Sequence, residues 1–453
     1  MTTSGSSGPT PLLISGGTLV DGSGAGPQPL TDVFIEGDRI VAIGAAAATE
    51  AASRVGVVTI DATGATVMPG LIDAHCHSTF DDVQSNDELF FHRPPVLSAL
   101  VTAFNLPKLL RAGVTSFFDP DTVHGIGPQV RDALNAGMFE GPRMATGVQA
   151  LLTSVGGTAG RLIPDEGEVG YAAIVNTMEE MVTTTRRQIK YGADWIKIHA
   201  TGSIPTHQGE LQVWTLDEMK VVCDTAHALG VPVTAHCRNA VSTRDAAKAG
   251  VDLILHASFI DDEALDAVLE AGAAVCPTFT FLANLADYGD KVGATKGMTG
   301  IFRGEIDATA ATLRRAYDEG VTLLCGSESG FALTPYGHWH ARELEVFVDA
   351  LGLSPLEAIT CATKNNALAM RMEGQLGVVA EGYRADVIVV DGDPLADIRI
   401  LQDKSRLKAV VSRGRSVDLT APWPERGRVA GEKVGNWAAE VLTYDRAMSV
   451  AGQ

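Results

Sequence analysis

Short apolar runs recur along the middle of this chain, at residues 67–72, 114–118, 143–146, 195–198, 231–235, 253–255, 274–278 and 321–325. Each is rich in Val, Ile, Leu or Phe and is bounded by turn-forming residues, the pattern of a buried strand. Helical spacing fills several of the gaps. Residues 215–229 open with Thr-Leu-Asp-Glu, in which the threonine hydroxyl and the glutamate three positions on can cap the first turn reciprocally. Residues 243–249 and 261–270 read as further helices. Buried strands alternating with helices predict an α/β fold, a (β/α)8 TIM barrel, with its chemistry at the carboxyl ends of the strands.

The chain ends have a different texture. Residues 12–15, 17–20, 32–36, 39–43 and 57–61 are strand-like runs separated by Gly-rich turns, with a hairpin at Gly37-Asp38. The same alternation returns at 385–390 and 407–412. Both ends are therefore expected to build one small β-sandwich domain, from residues 1–66 and 375–435, beside a barrel of residues 67–374. Residues 436–453 form a tail with an amphipathic helix at 436–448. Insertions at 80–95, 151–164 and 280–300 are expected to be loops over the active face. Their side chains, among them Phe80, Phe90, Phe91, Phe279, Phe281 and Leu282, point to a small-molecule substrate with an apolar or aryl portion.

Composition narrows the class. The 453 residues are 45% hydrophobic and 20% charged, as in a globular protein. A net charge of −20 argues against nucleic acid or an anionic membrane as partner. Residues 1–10 have neither a basic nor an apolar signal-peptide region, and no apolar run reaches the length of a membrane span. The six cysteines are scattered without a Cys-x-x-Cys pair and are expected to be reduced packing residues of a cytoplasmic homo-oligomer, Cys76, Cys237 and Cys325 included.

Chemistry enters at the strand ends. The run Val67-Met-Pro-Gly-Leu-Ile-Asp-Ala-His-Cys-His77 ends in two histidines at alternate positions. Alternate residues of a strand share a face, so His75 and His77 leave together, as two ligands of one metal would. Two ligands do not fill a shell. The fourth strand carries Lys197 amid apolar residues, a costly burial unless the amine is paired or modified. The fifth and sixth strands end in His236 and His256, and the eighth in Glu328. Such a set can hold two divalent metal ions, Zn foremost, with Mn, Co or Fe as alternatives.

This constellation resembles the amidohydrolase superfamily: His-x-His after Pro-Gly-Leu-Ile-Asp, a strand-four lysine, two further strand-end histidines and a strand-eight acid. The resemblance covers most of the chain. The stretch Gln375-Leu-Gly-Val-Val-Ala-Glu-Gly-Tyr-Arg-Ala-Asp-Val-Ile-Val-Val390 is similar to the family's return into its small domain. Trp195-Ile-Lys-Ile-His-Ala-Thr-Gly202 and Ile254-Leu-His-Ala-Ser-Phe-Ile-Asp-Asp262 look most like the prolidase and imidazolonepropionase-like branch, which includes the molinate and phenylurea hydrolases. The resemblance implies that His75, His77 and Glu328 bind the more buried metal and that His236 and His256 bind the more exposed one. It implies that Lys197, carboxylated by CO2, bridges both as a carbamate. Catalysis would follow from a metal-bridged hydroxide, with Glu328 taking a proton and passing it to the leaving nitrogen. The implied reaction is hydrolysis of an amide-like C–N bond in an N-acyl amino acid, dipeptide, carbamate or urea. An ester, lactone or phosphotriester is an alternative on the same centre. A non-catalytic scaffold would have lost ligands, and here no position is empty.

One departure stands out. The family pattern has aspartate where this chain has Glu328, and the added methylene leaves open whether Glu328 is ligand, base or both. Three more residues are candidate substrate contacts. His199 shares a face with Lys197 and could instead support a ligand. His207 lies in the 202–212 loop. Arg238 shares a face with His236 and could hold a carboxylate or form a structural ion pair. His338 and His340 also alternate, but no apolar strand precedes them and residues 341–351 read as a helix, so a loop or helix-start role is expected.

Overall fold

The computed structural model describes residues 9–89, 93–157 and 170–427, with Val429 and Thr443 in addition. The expected tail helix at 436–448, and Phe90, Phe91 and His92, lie outside these residues apart from Thr443. Among the described residues no helix is long and apolar enough to cross a membrane.

The centre of the chain is α/β with parallel sheets. One sheet has three strands, Leu71–Asp73, Val114–Asp119 and Arg143–Thr146. The other runs in the order Ala172–Ile174, Ala150–Leu152, Ile196–His199, Val233–Cys237, Leu253–His256, Ala274–Cys276. Its register sets His199 beside His236 and Cys237 beside His256, so successive strand ends fall level. Single backbone contacts join the pieces. Asp194 N–H donates to Thr146 O at 2.8 Å, and Ala74 N–H to Cys325 O at 2.9 Å. Leu323, in the expected strand 321–325, makes a parallel bridge to Val275.

Local signals explain the helices between. Leu216–His227 has the Thr215/Glu218 capping box in both directions. Asn239 caps Ala240–Ala249 and Asp261 caps Asp262–Ala271; Gly250 and Gly272 end them in the left-handed conformation that only glycine adopts without strain.

Two expectations need correction. The run 67–72 is not one strand: Ala65–Pro69 pairs antiparallel with Val387–Asp391, and Leu71–Asp73 joins the parallel sheet. Gly70 makes the break. A Cβ there would sit 2.2 Å from Thr115 Oγ1, so only glycine lets the chain pass between the two sheets. The insertion 280–300 is also not a plain loop. It holds the helix Phe279–Tyr288 and the start of Met298–Asp318. The buried Glu343 carboxylate accepts the first N–H groups of the former, Phe279 at 2.8 Å and Thr280 at 2.6 Å. Phe279 and Leu282 are buried in this helix instead of being displayed.

Strands from both chain ends share one eight-stranded sheet, ordered Arg415–Ser416, Leu407–Ser412, Val387–Asp391, Ala65–Pro69, Leu12–Leu19, Gln28–Glu36, Arg39–Ile43, with Val58–Asp61 added along Leu12–Leu19. Ile14, Val33, Ile35 and Val67 from one end pack with Val387, Val389 and Val411 from the other. The six cysteines are free and buried. Gly70→Ala should destabilise the protein by roughly 1–3 kcal/mol through overpacking against Thr115, read by denaturant unfolding; an unchanged midpoint would remove the steric account of the break.

Candidate metal centre

His75 and His77 leave the Leu71–Asp73 strand end 1% and 4% exposed, with ring centroids 4.9 Å apart. The His256 ring lies 5.4 Å from His75 and 4.5 Å from His236. His199 stacks on His236 at 4.8 Å. Glu328 Oε1 lies 4.0 Å from His256 Nε2, and donor atoms of His75, His77 and Glu328 all lie within 4.8 Å of one another. Lys197 is 1% exposed, and its charge acts on His75, His236, His256 and Glu328. The turns that aim these groups are strained: His256 (φ +70°), Thr278 (φ +57°) and Glu328 (φ +54°) occupy the left-handed region without being glycine.

Hydrogen bonds occupy one ring nitrogen of His75 and one of His236. Thr278 Oγ1 donates to Cys276 O at 3.2 Å, so it accepts from His75 Nδ1 at 3.0 Å. His236 Nε2 lies 3.0 Å from Glu210 Oε2. His77 Nδ1 lies 2.8 Å from Asp121 Oδ1, within ion-pair range though off the line of a hydrogen bond. Nε2 of His75 and His77 and Nδ1 of His236 are the nitrogens left over. His256 Nε2 is buried and makes no hydrogen bond. Imidazoles whose far nitrogen is held by the protein are prepared to give the near lone pair to a metal.

The electrostatics agree. Burial holds His75 and His256 far below the imidazole range, and burial also lowers Lys197. Burial raises Glu328 to about 7. Burial also lowers His236, whereas at His77 burial is outweighed by Asp121, which raises it; three imidazoles held neutral, a fourth beside a carboxylate, and Glu328 form a donor set that fits a metal of the Zn type. A second donor group, His77, Asp119 and Asp121, adjoins the first. Asp119 takes the N–H and hydroxyl of Ser78 at 2.9 and 2.6 Å, and burial raises it to about 7. Asp121 behaves oppositely: burial opposes its charge, but His77 and His199 hold it well below the carboxylate range.

The three candidate substrate contacts diverge. His199 is buried; its Nε2 lies 2.9 Å from Tyr171 OH and 3.3 Å from Asp121 Oδ2, and burial lowers it to about 3. His207 is exposed at the tip of the hairpin Thr201–Pro205/Glu210–Gln212. Arg238 meets both carboxylate oxygens of Glu305, at 2.8 and 2.7 Å, over the Phe302 ring. Four residues that sequence reasoning passed over complete the cluster: Asp121, Tyr171, Glu210 and Thr278. Burial opposes the Glu210 charge, but His236 and Arg238 lower it to about 2. Thr278 ends an apolar run, and Asp121 follows another by three residues, the only signals they carried.

Parallel strands with helices between them, and imidazole, amine and carboxylate groups gathered at the strand ends, define a class of α/β enzyme. Residues 66–417 match the amidohydrolase family, and the chain belongs to that family. It is 29% identical to ochratoxinase of Aspergillus niger, over 92% of this chain and 89% of that protein. The crystal structure of A. niger ochratoxinase superimposes with a TM-score of 0.77 over 90% of this chain and 96% of that one. A prolidase complexed with N-methylphosphonate-L-proline is 28% identical, with a TM-score of 0.76 over 90% of this chain and 99% of its own. Molinate hydrolase, at 23% identity and a TM-score of 0.72 over 95% of this chain and all 100% of its own, shares the fold.

Glu328 makes one pH dependence testable. Its carboxyl, raised from 4.5 to about 7, binds its proton more tightly folded than unfolded. The stability it contributes is therefore present below 4.5 and lost as pH rises through about 7. In metal-stripped protein, Glu328→Gln should gain on the wild type by on the order of 2 kcal/mol as the pH rises across that window. Denaturant melts in chelator measure this; parallel pH profiles for the two proteins would contradict it.

Proposed function

We propose that this protein is a metal-dependent hydrolase of an amide-like C–N bond, in an N-acyl amino acid, dipeptide, carbamate or urea. The convergence of His75, His77, His236 and His256 with Glu328, beside the buried Lys197, carries the reading. In this reading His75, His77 and Glu328 would hold one divalent ion, His236 and His256 would hold a second, and Lys197, as its CO2-derived carbamate, would serve as a ligand to them. Zn is the expected metal, with Mn, Co or Fe as alternatives. When bound, such ions polarise a carbonyl and lower the pKa of water.

The chain's own residues do the rest. Glu328 accepts a proton at its carboxylate and delivers it to the leaving nitrogen, a role suited by its raised proton affinity. Asp121 and Glu210 keep His77 and His236 oriented. The half-buried rings of Phe281 and Phe331, 5.2 Å apart with Phe331 6.0 Å from His77, support a substrate with an apolar or aryl portion. Similarity to an ochratoxinase and a prolidase supports the amide-like class. The scaffold is read as one closed (β/α)8 barrel that begins at Gly70, not at residue 67, and runs to residue 374, supported by the backbone contacts that link the two parallel sheets through residues 146, 194, 275 and 321–325. Residues 1–66 and 375–435 are read as its small β-sandwich domain, supported by the core they share.

The purified protein should carry divalent metal and hydrolyse members of a panel of N-acyl amino acids, dipeptides, aryl ureas and carbamates with Zn, Mn or Co. Glu328→Gln should keep the metal and lose roughly 10²–10⁴-fold in kcat. Lys197→Ala should lose activity and recover part of it with short carboxylic acids, which can replace the bridge. A protein that binds no divalent metal and stays inactive with all three would overturn the reading.

A further inference from the structure

The segment Tyr336-Gly-His-Trp-His340 contributes no ligand, yet it grips the His-x-His run at both ends. Tyr336 is 2% exposed; its hydroxyl donates to the carbonyl of His77 at 2.5 Å and accepts Asp81 N–H at 3.0 Å. His340 is 7% exposed and accepts Gly337 N–H on Nε2 at 2.9 Å. That leaves the ring proton on Nδ1, 2.7 Å from Asp73 Oδ2. Asp73 is the hub. Its Oδ1 accepts the N–H of His75 at 3.1 Å and of Ser327 at 3.0 Å, and its Oδ2 takes the Ser327 hydroxyl in a very short bond. Ser327 immediately precedes Glu328. One five-residue segment therefore holds the main chain after His77 directly, and holds the main chain at His75 and Glu328 through Asp73.

We propose that Tyr336 and His340 are positioning residues that set the spacing between the His75/His77 pair and Glu328, and so the affinity of the metal site. The inference rests on the metal reading above. Metal–ligand distances tolerate about ±0.2 Å, whereas a carbonyl freed from its hydrogen bond can drift further than that. His340 acts as a neutral donor, and an asparagine in its place can offer an amide N–H to Asp73 from nearly the position of Nδ1. Tyr336→Phe keeps the ring and removes only the hydroxyl.

The test uses the full-length protein and Zn, with chelator competition for affinity and thermal unfolding of the metal-stripped form for the scaffold. Tyr336→Phe and His340→Ala should bind Zn roughly 10- to 100-fold more weakly at a temperature where the metal-stripped proteins remain folded, and His340→Asn should restore most of the affinity. Zn affinities equal to the wild type's would overturn the proposal. So would weaker binding that merely follows a lower melting temperature of the stripped protein and is not rescued by His340→Asn. A wild-type protein that fails to bind Zn, Mn or Co would instead defeat the metal reading itself, and this inference with it.

Discussion

The His-x-His strand end and the loop that carries Glu328 can approach because two residues between them have no side chain. A Cβ on Gly326 would lie 2.6 Å from His75 Cβ and 2.7 Å from Cys276 Sγ. A Cβ on Gly330 would lie 2.5 Å from His77 O. Their absence lets Glu328 N–H reach His75 O and His77 N–H reach Ser329 O, both at 2.7 Å. These buried backbone bonds leave no alternative partner from water, and losing one costs about 1–3 kcal/mol. The sequence Gly326-Ser-Glu-Ser-Gly330 is thus the condition for a carboxylate and two imidazoles to share one space.

Sharing that space has an electrostatic consequence. Ionisable groups buried together must be paired, neutralised or bound to a cation. Two carboxylates are paired: Asp121 with His77 and His199, Glu210 with His236 and Arg238, and both stay ionised despite burial. Arg238 is held by Glu305 and also neighbours Glu210, and its charge is felt at Glu328, His236 and His256. Lys197 makes no ion pair among the described residues, and Glu328 comes no closer than 4.0 Å to His256; burial lowers Lys197 and His256 and raises Glu328 to about 7. The paired groups form a rim that fixes orientation; the unmatched ones mark where a cation would lower the energy.

Much of this was legible along the chain because strand ends advertise themselves. His75, His77, Lys197, His236, His256 and Glu328 each interrupt or terminate an apolar run, and parallel strands carry such positions to one end. Asp121 and Glu210 lie in polar connections, where an acid is ordinary, Tyr171 opens the apolar run 171–175 as an unremarkable aromatic, and the partners of all three are far away in sequence. The helix Phe279–Tyr288 was hidden for a similar reason. Its cap is a carboxylate on a distant helix, and Thr278 before it makes no side-chain cap of its own. The break at Gly70 was invisible because both sides of it are apolar; only the approach of Thr115 distinguishes a passage between sheets from the middle of a strand.

The glutamate at the eighth strand can be understood from the same geometry. The main chain of Glu328 is held on both sides, its N–H by His75 O and its carbonyl by the Thr334 hydroxyl at 2.8 Å, and its φ of +54° fixes the direction in which the side chain departs. With the backbone pinned, side-chain length decides how far the carboxylate reaches. The extra methylene carries it within 4.0 Å of His256 Nε2 while it stays within 4.8 Å of the His75 and His77 donors. With its main chain pinned in this way, the Glu328 carboxylate faces both sets of histidines at once.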